Sequence, residues 1–274
     1  MNSISDRRHL HKGEFILQVY LAVTPGEAQE ASSCFRTLAH VAYRIGPGSS
    51  LLRQNLLLQT SGGLLSVSDR DAPPIEDAGA LCAAVARECG RRNYGGVLLD
   101  FEEPPRQDRL AFVQKLGQTL SAGRRSLFLP AAYAKAAPGA VSLVCTAVSG
   151  GNFTEYLRET ARSRGGPGRV ALDVQRLRMD FTLPARSGEG TPLSAEAFGA
   201  LVRRETPSTF FSPDLCAKYF TYTQGGAAHF VLFDDAETLR QKLRIGAGLG
   251  CTAAFLMWPE VRDIAGAFRR WHQL

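Results

Sequence analysis

The sequence has no block of one charge sign, no CxxC pair, no apolar run near the roughly 20 residues that span a bilayer, and no repeat of fixed period. Each absence excludes a class of protein. The formal charge of +6 comes from 32 Lys and Arg against 26 Asp and Glu, and the arginine pairs at 7–8, 91–92, 124–125 and 203–204 lie far apart. They read as solvated helix ends, where cations suit the helix dipole. The clustered basic surface with interleaved aromatics of a nucleic-acid binder is missing, so no nucleic-acid partner is expected. The six cysteines, Cys34, Cys82, Cys89, Cys145, Cys216 and Cys251, have no histidines at zinc-ligand spacing, so neither a metal nor any other cofactor is expected. They sit in apolar stretches and read as reduced, buried thiols. The glycines of Thr60-Ser61-Gly62-Gly63 open no helix, which makes them a turn and not a phosphate loop.

The start of the chain imitates a signal peptide, with Arg7, Arg8 and Lys12 before the apolar run 15–23. Gln18 interrupts that run and no small-residue cleavage site follows, so a first buried strand is the better reading. The expectation is a soluble chain without a membrane span or clear signal peptide. Nothing indicates its oligomeric state.

What is present is alternation. Short β-branched runs at 15–23, 39–45, 55–59, 64–68, 97–99, 126–129, 141–148, 169–174 and 252–258 alternate with stretches of helical period, roughly the eight strands of a barrel once one run of the early hairpin is set aside. Residues 55–59 pair with 64–68 as a hairpin in this reading, and helices fall at 75–92, 107–120, 153–164, 194–204, 235–247 and 261–272. The fold class is α/β, a (β/α)8 TIM barrel, which needs about 250 residues. Residues 1–274 form one barrel domain, with 180–233 a small strand-rich insertion between the seventh and eighth strands.

The chemistry concentrates after Val97-Leu98-Leu99. Side chains alternate along a strand, so Asp100 and Glu102 share one face while Phe101 and Glu103 take the other. Charged groups at the C-terminal ends of barrel strands line the site, and two close carboxyls push their proton affinities apart. That pairing suits acid-assisted cleavage. The plain alternative is a salt-bridged strand end.

Residues 94–102, Tyr-Gly-Gly-Val-Leu-Leu-Asp-Phe-Glu, resemble the fourth strand of glycoside hydrolase family 18, the chitinase-like barrels with the signature Asp-x-x-Asp-x-Asp-x-Glu. Residues 230–243 are similar to the segment before the last strand in the spore-cortex-lytic branch, and Phe255-Leu256-Met257-Trp258 falls where the family keeps a sugar-stacking tryptophan. The resemblance implies substrate-assisted, retaining hydrolysis of a β-linked N-acetylglucosamine glycan, either peptidoglycan or chitin-like. Glu102 would protonate the glycosidic oxygen, Asp100 would orient the substrate's acetamido group, and Trp258 would stack on a sugar. It also implies a cytoplasmic or spore-associated location.

The departures are specific. Gly95 and Leu98 replace the first two acids of the signature, and Cys145-Thr146-Ala147-Val148-Ser149-Gly150-Gly151-Asn152 stands where the family has its Met-x-Tyr feature. The tyrosine's contact with the acetamido carbonyl then falls to Tyr133 or Tyr222, or is absent. Asp180 and Asn152 are further substrate-binding candidates. Trp258 equally suits core packing, and His229 reads as a satisfied core histidine. The alternative function is a barrel without turnover that binds a glycan or protein partner.

Overall fold

The computed structural model describes residues 17–54, 60–185 and 189–268. The first group of apolar runs forms β1 (Gln18–Val23), β2 (Leu38–Gly46), β3 (Ser50–Arg53), β4 (Leu64–Ser68), β5 (Gly96–Asp100), β6 (Ser126–Pro130), β7 (Val141–Cys145) and β8 (Val170–Val174). A second group follows as β9 (Arg178–Thr182), β10 (Thr191–Pro192), β11 (Phe210–Ser212), β12 (Ala217–Gln224) and β13 (Ala227–Phe233), before β14 (Ala253–Met257). The helices are α1 (Ala28–Ser32), α2 (Ala78–Arg91), α3 (Gln107–Ala122), α4 (Phe153–Ser163), α5 (Ala195–Glu205), α6 (Ala236–Leu249) and α7 (Trp258–Val261).

Strands β1, β2, β4, β5, β6, β7, β8 and β14 pair in parallel and close into a barrel, with Tyr20 beside Phe255 and Leu21 beside Leu38 at the seam. The (β/α)8 fold is the one read from the alternating runs. One early assignment changes. Strand β4 is no hairpin arm but the third barrel strand, parallel to β2 and β5, and β3 folds back antiparallel on β2 instead. Its expected partner at 55–59, the basic residues before 17 and the chain beyond 268 lie outside the described residues.

Strand alternation explains three layers of apolar packing. Inward-facing Ala22, Ala39, Leu64, Leu98, Phe128, Ala171 and Phe255 fill the barrel, and outward-facing residues pack under the helices in two larger clusters. At the start of β5 a side chain has no room, since a Cβ on Gly96 would lie 2.4 Å from the Ser126 carbonyl oxygen. Helix starts are specified locally. The Asp77 carboxylate accepts from Gly79 N and Ala80 N, Ser194 Oγ accepts from Ala197 N, and Asp235 forms a capping box with Thr238. All six cysteines are free thiols, with Cys82, Cys89, Cys216 and Cys251 buried.

Between β8 and β14 a separate antiparallel sheet forms in the order β10-β9-β13-β12-β11. Gly225 and Gly226 make the two-residue turn from β12 to β13, both at positive φ, as such hairpins require. Helix α5 covers one face of this sheet through Phe198, Leu201 and Val202. The other face carries Met179, Phe181, Tyr219 and Phe230. Among the described residues, no helix is long and apolar enough to cross a membrane.

Candidate active site

A cleft of about 1050 Å³ opens over the C-terminal ends of the barrel strands and extends to the second sheet. Asp100, Glu102, Cys145, Asp173 and Met257 line it from the barrel, Tyr156 and Arg164 from α4 and its end, and Arg178, Met179 and Leu193 from the insertion. Phe255 also lines it and belongs to a cluster of rings inside the barrel. Tyr20 stacks on Phe255 with centroids 5.2 Å apart, and Phe128 meets Phe255 edge-on at 5.0 Å. These rings belong to the apolar filling of the barrel, so carboxyls at its mouth border hydrocarbon.

Asp100 shows the consequence. Burial, first, and then the neighbouring Glu102 carboxylate push its carboxyl above the usual aspartate range, with Arg70 opposing them. The inward position below it is Leu98, which packs against the barrel's apolar filling, so an acid there would be deep in hydrocarbon.

Glu102 lies just past the end of β5 and is held in two ways. Its backbone N–H donates to Asp69 Oδ1 at 2.9 Å, and its Oε1 accepts from Arg70 Nη2 at 2.5 Å. Asp69 is fully buried, 3.8 Å from the buried Nε of Arg109. Arg109 in turn donates to the carbonyls of Ala72 and Pro73 and to Asp108. A buried charge network thus fixes the loop after β4, and that loop fixes Glu102. The Arg70 pair is exposed, with 68% and 53% of the two side chains accessible.

Comparison with solved structures identifies the architecture. The spore cortex-lytic enzyme SleL of Bacillus cereus superposes with a TM-score of 0.66 at 15% identity, over 94% of this chain and 74% of that one. A chitinase from Chromobacterium violaceum gives 0.62 at 17%, over 93% and 99%. A variant class V chitinase from Nicotiana tobaccum, solved in complex with NAG4, gives 0.62 at 11%, over 91% and 97%. The chain has the barrel fold of these enzymes. No protein-family model matches the chain, and no curated protein matches it in sequence. At such identities the likeness carries the fold alone.

Of the site residues named from sequence, only Asp100 and Glu102 line the cleft. Trp258 is 2% exposed and packs in the apolar layer outside the barrel. Alternation along β14 turns Phe255 and Met257 toward the cleft and Leu256 and Trp258 away, so core packing is the role the structure gives this tryptophan. Tyr133 is buried against Phe101 and donates its hydroxyl to the Glu103 carbonyl at 3.0 Å. It does not line the cleft.

Tyr222 and Asp180 belong to the second sheet. The Tyr222 hydroxyl donates to Asp180 Oδ2 at 2.7 Å, and burial and that carboxylate push it up to about 12. His229 Nδ1 lies 3.1 Å from Asp180 Oδ1 and its ring stacks on Tyr222, so the histidine has a carboxylate partner on the neighbouring strand. Asn152 caps α4 and ties Asp214 through Nδ2 at 2.9 Å. None of these four lines the cleft, and each has a structural partner elsewhere.

Four residues escaped sequence reasoning. Asp69 and Arg70 grip Glu102 from a loop 33 and 32 residues away, a relationship no local pattern announces. Tyr156 is the tyrosine that does line the cleft, and its hydroxyl donates to the Cys145 carbonyl at 3.3 Å. Asp173 was detectable. An acid near the C-terminal end of the apolar run Val170-Ala171-Leu172 repeats the signal of Val97-Leu98-Leu99-Asp100.

Proposed function

We propose that the chain hydrolyses β-linked N-acetylglucosamine glycans, of the peptidoglycan or chitin type, with retention and with the substrate's own acetamido group as nucleophile. The observation that carries this reading is the shared position of Asp100 and Glu102 in one cleft at the strand-end mouth of a barrel with the fold of these enzymes. Glu102 protonates the glycosidic oxygen as the acetamido carbonyl oxygen attacks the anomeric carbon, and the leaving sugar departs. Asp100 accepts from the acetamido N–H and balances the positive charge that develops on the cyclic intermediate. Water then opens that intermediate and returns a proton to Glu102. Glu102 reaches the glycosidic oxygen by releasing Arg70, which its exposed position permits.

Peptidoglycan is the preferred polymer. Arg164 lines the cleft wall with no ion-pair partner among the described residues, and it offers a cation to the lactyl or peptide carboxylates that chitin lacks. Spore association follows from this substrate and from the cortex-lytic neighbour.

The test is hydrolysis of a chromogenic chitooligosaccharide and of purified peptidoglycan by wild type and by Glu102→Gln. Loss of turnover in the variant supports the reading. Equal rates in both proteins overturn the role of Glu102, and retained glycan binding without turnover in the wild type favours a binding barrel.

A further inference from the structure

Glu102 stands beyond Asp100, the last residue of β5. The ladder between β4 and β5 ends at the pair Ser68–Asp100, and the ladder between β5 and β6 ends at Leu98–Phe128. The Glu102 peptide therefore has no paired strand to receive its N–H. Its own strand offers no polar support from below either, because the inward residue beneath Asp100 is the apolar Leu98. The carboxyl that must reach one oxygen of a bound polymer sits on backbone that the barrel ladder does not hold.

Asp69 supplies the missing acceptor. Strand β4 stops at Ser68, and the next side chain turns Oδ1 to the Glu102 N–H at 2.9 Å, where a continuing strand would have offered a carbonyl. This carboxylate is itself fixed. It is fully buried, its own carbonyl closes a tight turn by accepting from Ala72 N at 3.1 Å, and Asp71 in that turn takes a φ of 54°. Arg109, 1% exposed on α3, places Nε 3.8 Å from Asp69 Oδ2 and donates through Nη2 to the carbonyls of Ala72 and Pro73. One buried guanidinium thus grips the turn at its carboxylate and at its exit. From the other side the Tyr133 hydroxyl holds the Glu103 carbonyl, which keeps the segment anchored when the Glu102 N–H loses its acceptor.

The two groups that touch Glu102 differ in weight. The Arg70 pair is exposed, and an exposed pair shifts an equilibrium by about fivefold at most. The bond from Asp69 is charge-assisted, buried and fixed in direction. We propose that Asp69 is a positioning residue for the reaction: its carboxylate, held by Arg109, sets the backbone of Glu102 and with it the reach of the acid to the glycosidic oxygen. This rests on the reading above that Glu102 is the proton donor. Asp69 does not line the cleft, so its contribution falls on the chemical step and not on glycan binding.

The experiment measures kcat and KM on a chromogenic chitooligosaccharide for wild type, Asp69→Ala, Asp69→Asn, Arg70→Gln and Glu102→Gln. Misplacement of a reacting group by about 1 Å slows a reaction on the order of a hundredfold, so Asp69→Ala lowers kcat about 10- to 100-fold with KM within about twofold. Asp69→Asn keeps an oxygen acceptor for the N–H and restores kcat to within about fivefold of wild type, while it melts lower because Arg109 loses a counter-charge. Arg70→Gln changes kcat by less than about fivefold. A merely structural role predicts no such separation of rate from stability. In the wild-type protein the Glu102 amide proton exchanges slowly with solvent, a measurement that needs no variant to fold.

The positioning role is overturned, and the assignment of Glu102 stands, if folded Asp69→Ala turns over like wild type or if Asp69→Asn is as slow as Asp69→Ala. A larger loss in Arg70→Gln than in Asp69→Ala, or a Glu102 amide that exchanges as fast as in an unfolded chain, overturns it equally. If Glu102→Gln turns over like wild type, or wild type shows no turnover, the glycosidase reading itself fails. Thermal melts show whether each variant is folded.

Discussion

Lys242 and Asp234 form an ion pair from which water is excluded, with 2.7 Å between Nζ and Oδ2 and neither side chain exposed. Asp234 also accepts from Thr238 Oγ1 at 2.9 Å and from Leu177 N at 3.0 Å, and its carbonyl receives Arg176 Nε. The pair therefore joins α6 to the turn between β8 and β9, whose residues 176 and 177 line the cleft. Removing one partner strands a buried charge, a loss of about 3–5 kcal/mol. Lys242→Met is expected to lower the free energy of urea unfolding by that amount, and a replacement that leaves it unchanged would show the pair to be dispensable.

Asp100 and Asp173 both have carboxyls raised by burial, so the folded state binds their protons more tightly than the unfolded chain does. Their contribution to stability is present at low pH and is lost as pH rises from about 4 through the folded-state values. Asn at either position removes that loss. Asp100→Asn and Asp173→Asn should melt above wild type at pH 7, with the gap closing toward pH 3–4, measured by calorimetry. A gap independent of pH would contradict the burial argument.

His40 behaves with the opposite sign. Burial lowers it to about 4, and its Nδ1 makes no hydrogen bond. Its folded value lies below its unfolded value of about 6.5, so stability is fully present above that pH and declines as pH falls toward 4. The loss is on the order of 3 kcal/mol. His40→Gln should flatten urea-unfolding stability between pH 7 and 5, and the same slope in both proteins would place the titration elsewhere.

Tyr133→Phe deletes the hydrogen bond to the Glu103 carbonyl on the far side of the sheet from the cleft. The expected cost is about 1 kcal/mol of stability with unchanged glycan affinity. A selective loss of glycan affinity would restore this tyrosine to the site.

Arg164→Ala separates the two polymers. Hydrolysis of peptidoglycan should fall several-fold while that of a neutral chitooligosaccharide stays level, because only the former offers a carboxylate to a cleft-wall cation. Equal effects on both would assign Arg164 a structural part.

The barrel and the Asp100–Glu102 pair were legible in the sequence because both depend on period. An apolar run with β-branched residues forms a buried strand wherever it lies, and alternation decides which of its side chains share a face. The same rule points to Asp173, through the acid near the end of Val170–Val174. What period cannot supply is the space a face looks into. Trp258 and Met257 are neighbours in sequence, yet one packs under the helices and the other lines the cleft, which follows only once β14 closes against β1 and β8.

Partners distant in sequence were beyond reach for a related reason. Tyr133 finds its acceptor 30 residues away and Tyr222 finds Asp180 at 42, and each bond removes a hydroxyl that composition alone left available. Local periodicity therefore determined the barrel and the strand end that carries Asp100 and Glu102. Tertiary closure decided which polar groups were satisfied elsewhere, because a buried hydroxyl or carboxylate settles on whichever partner the folded chain brings within hydrogen-bond reach.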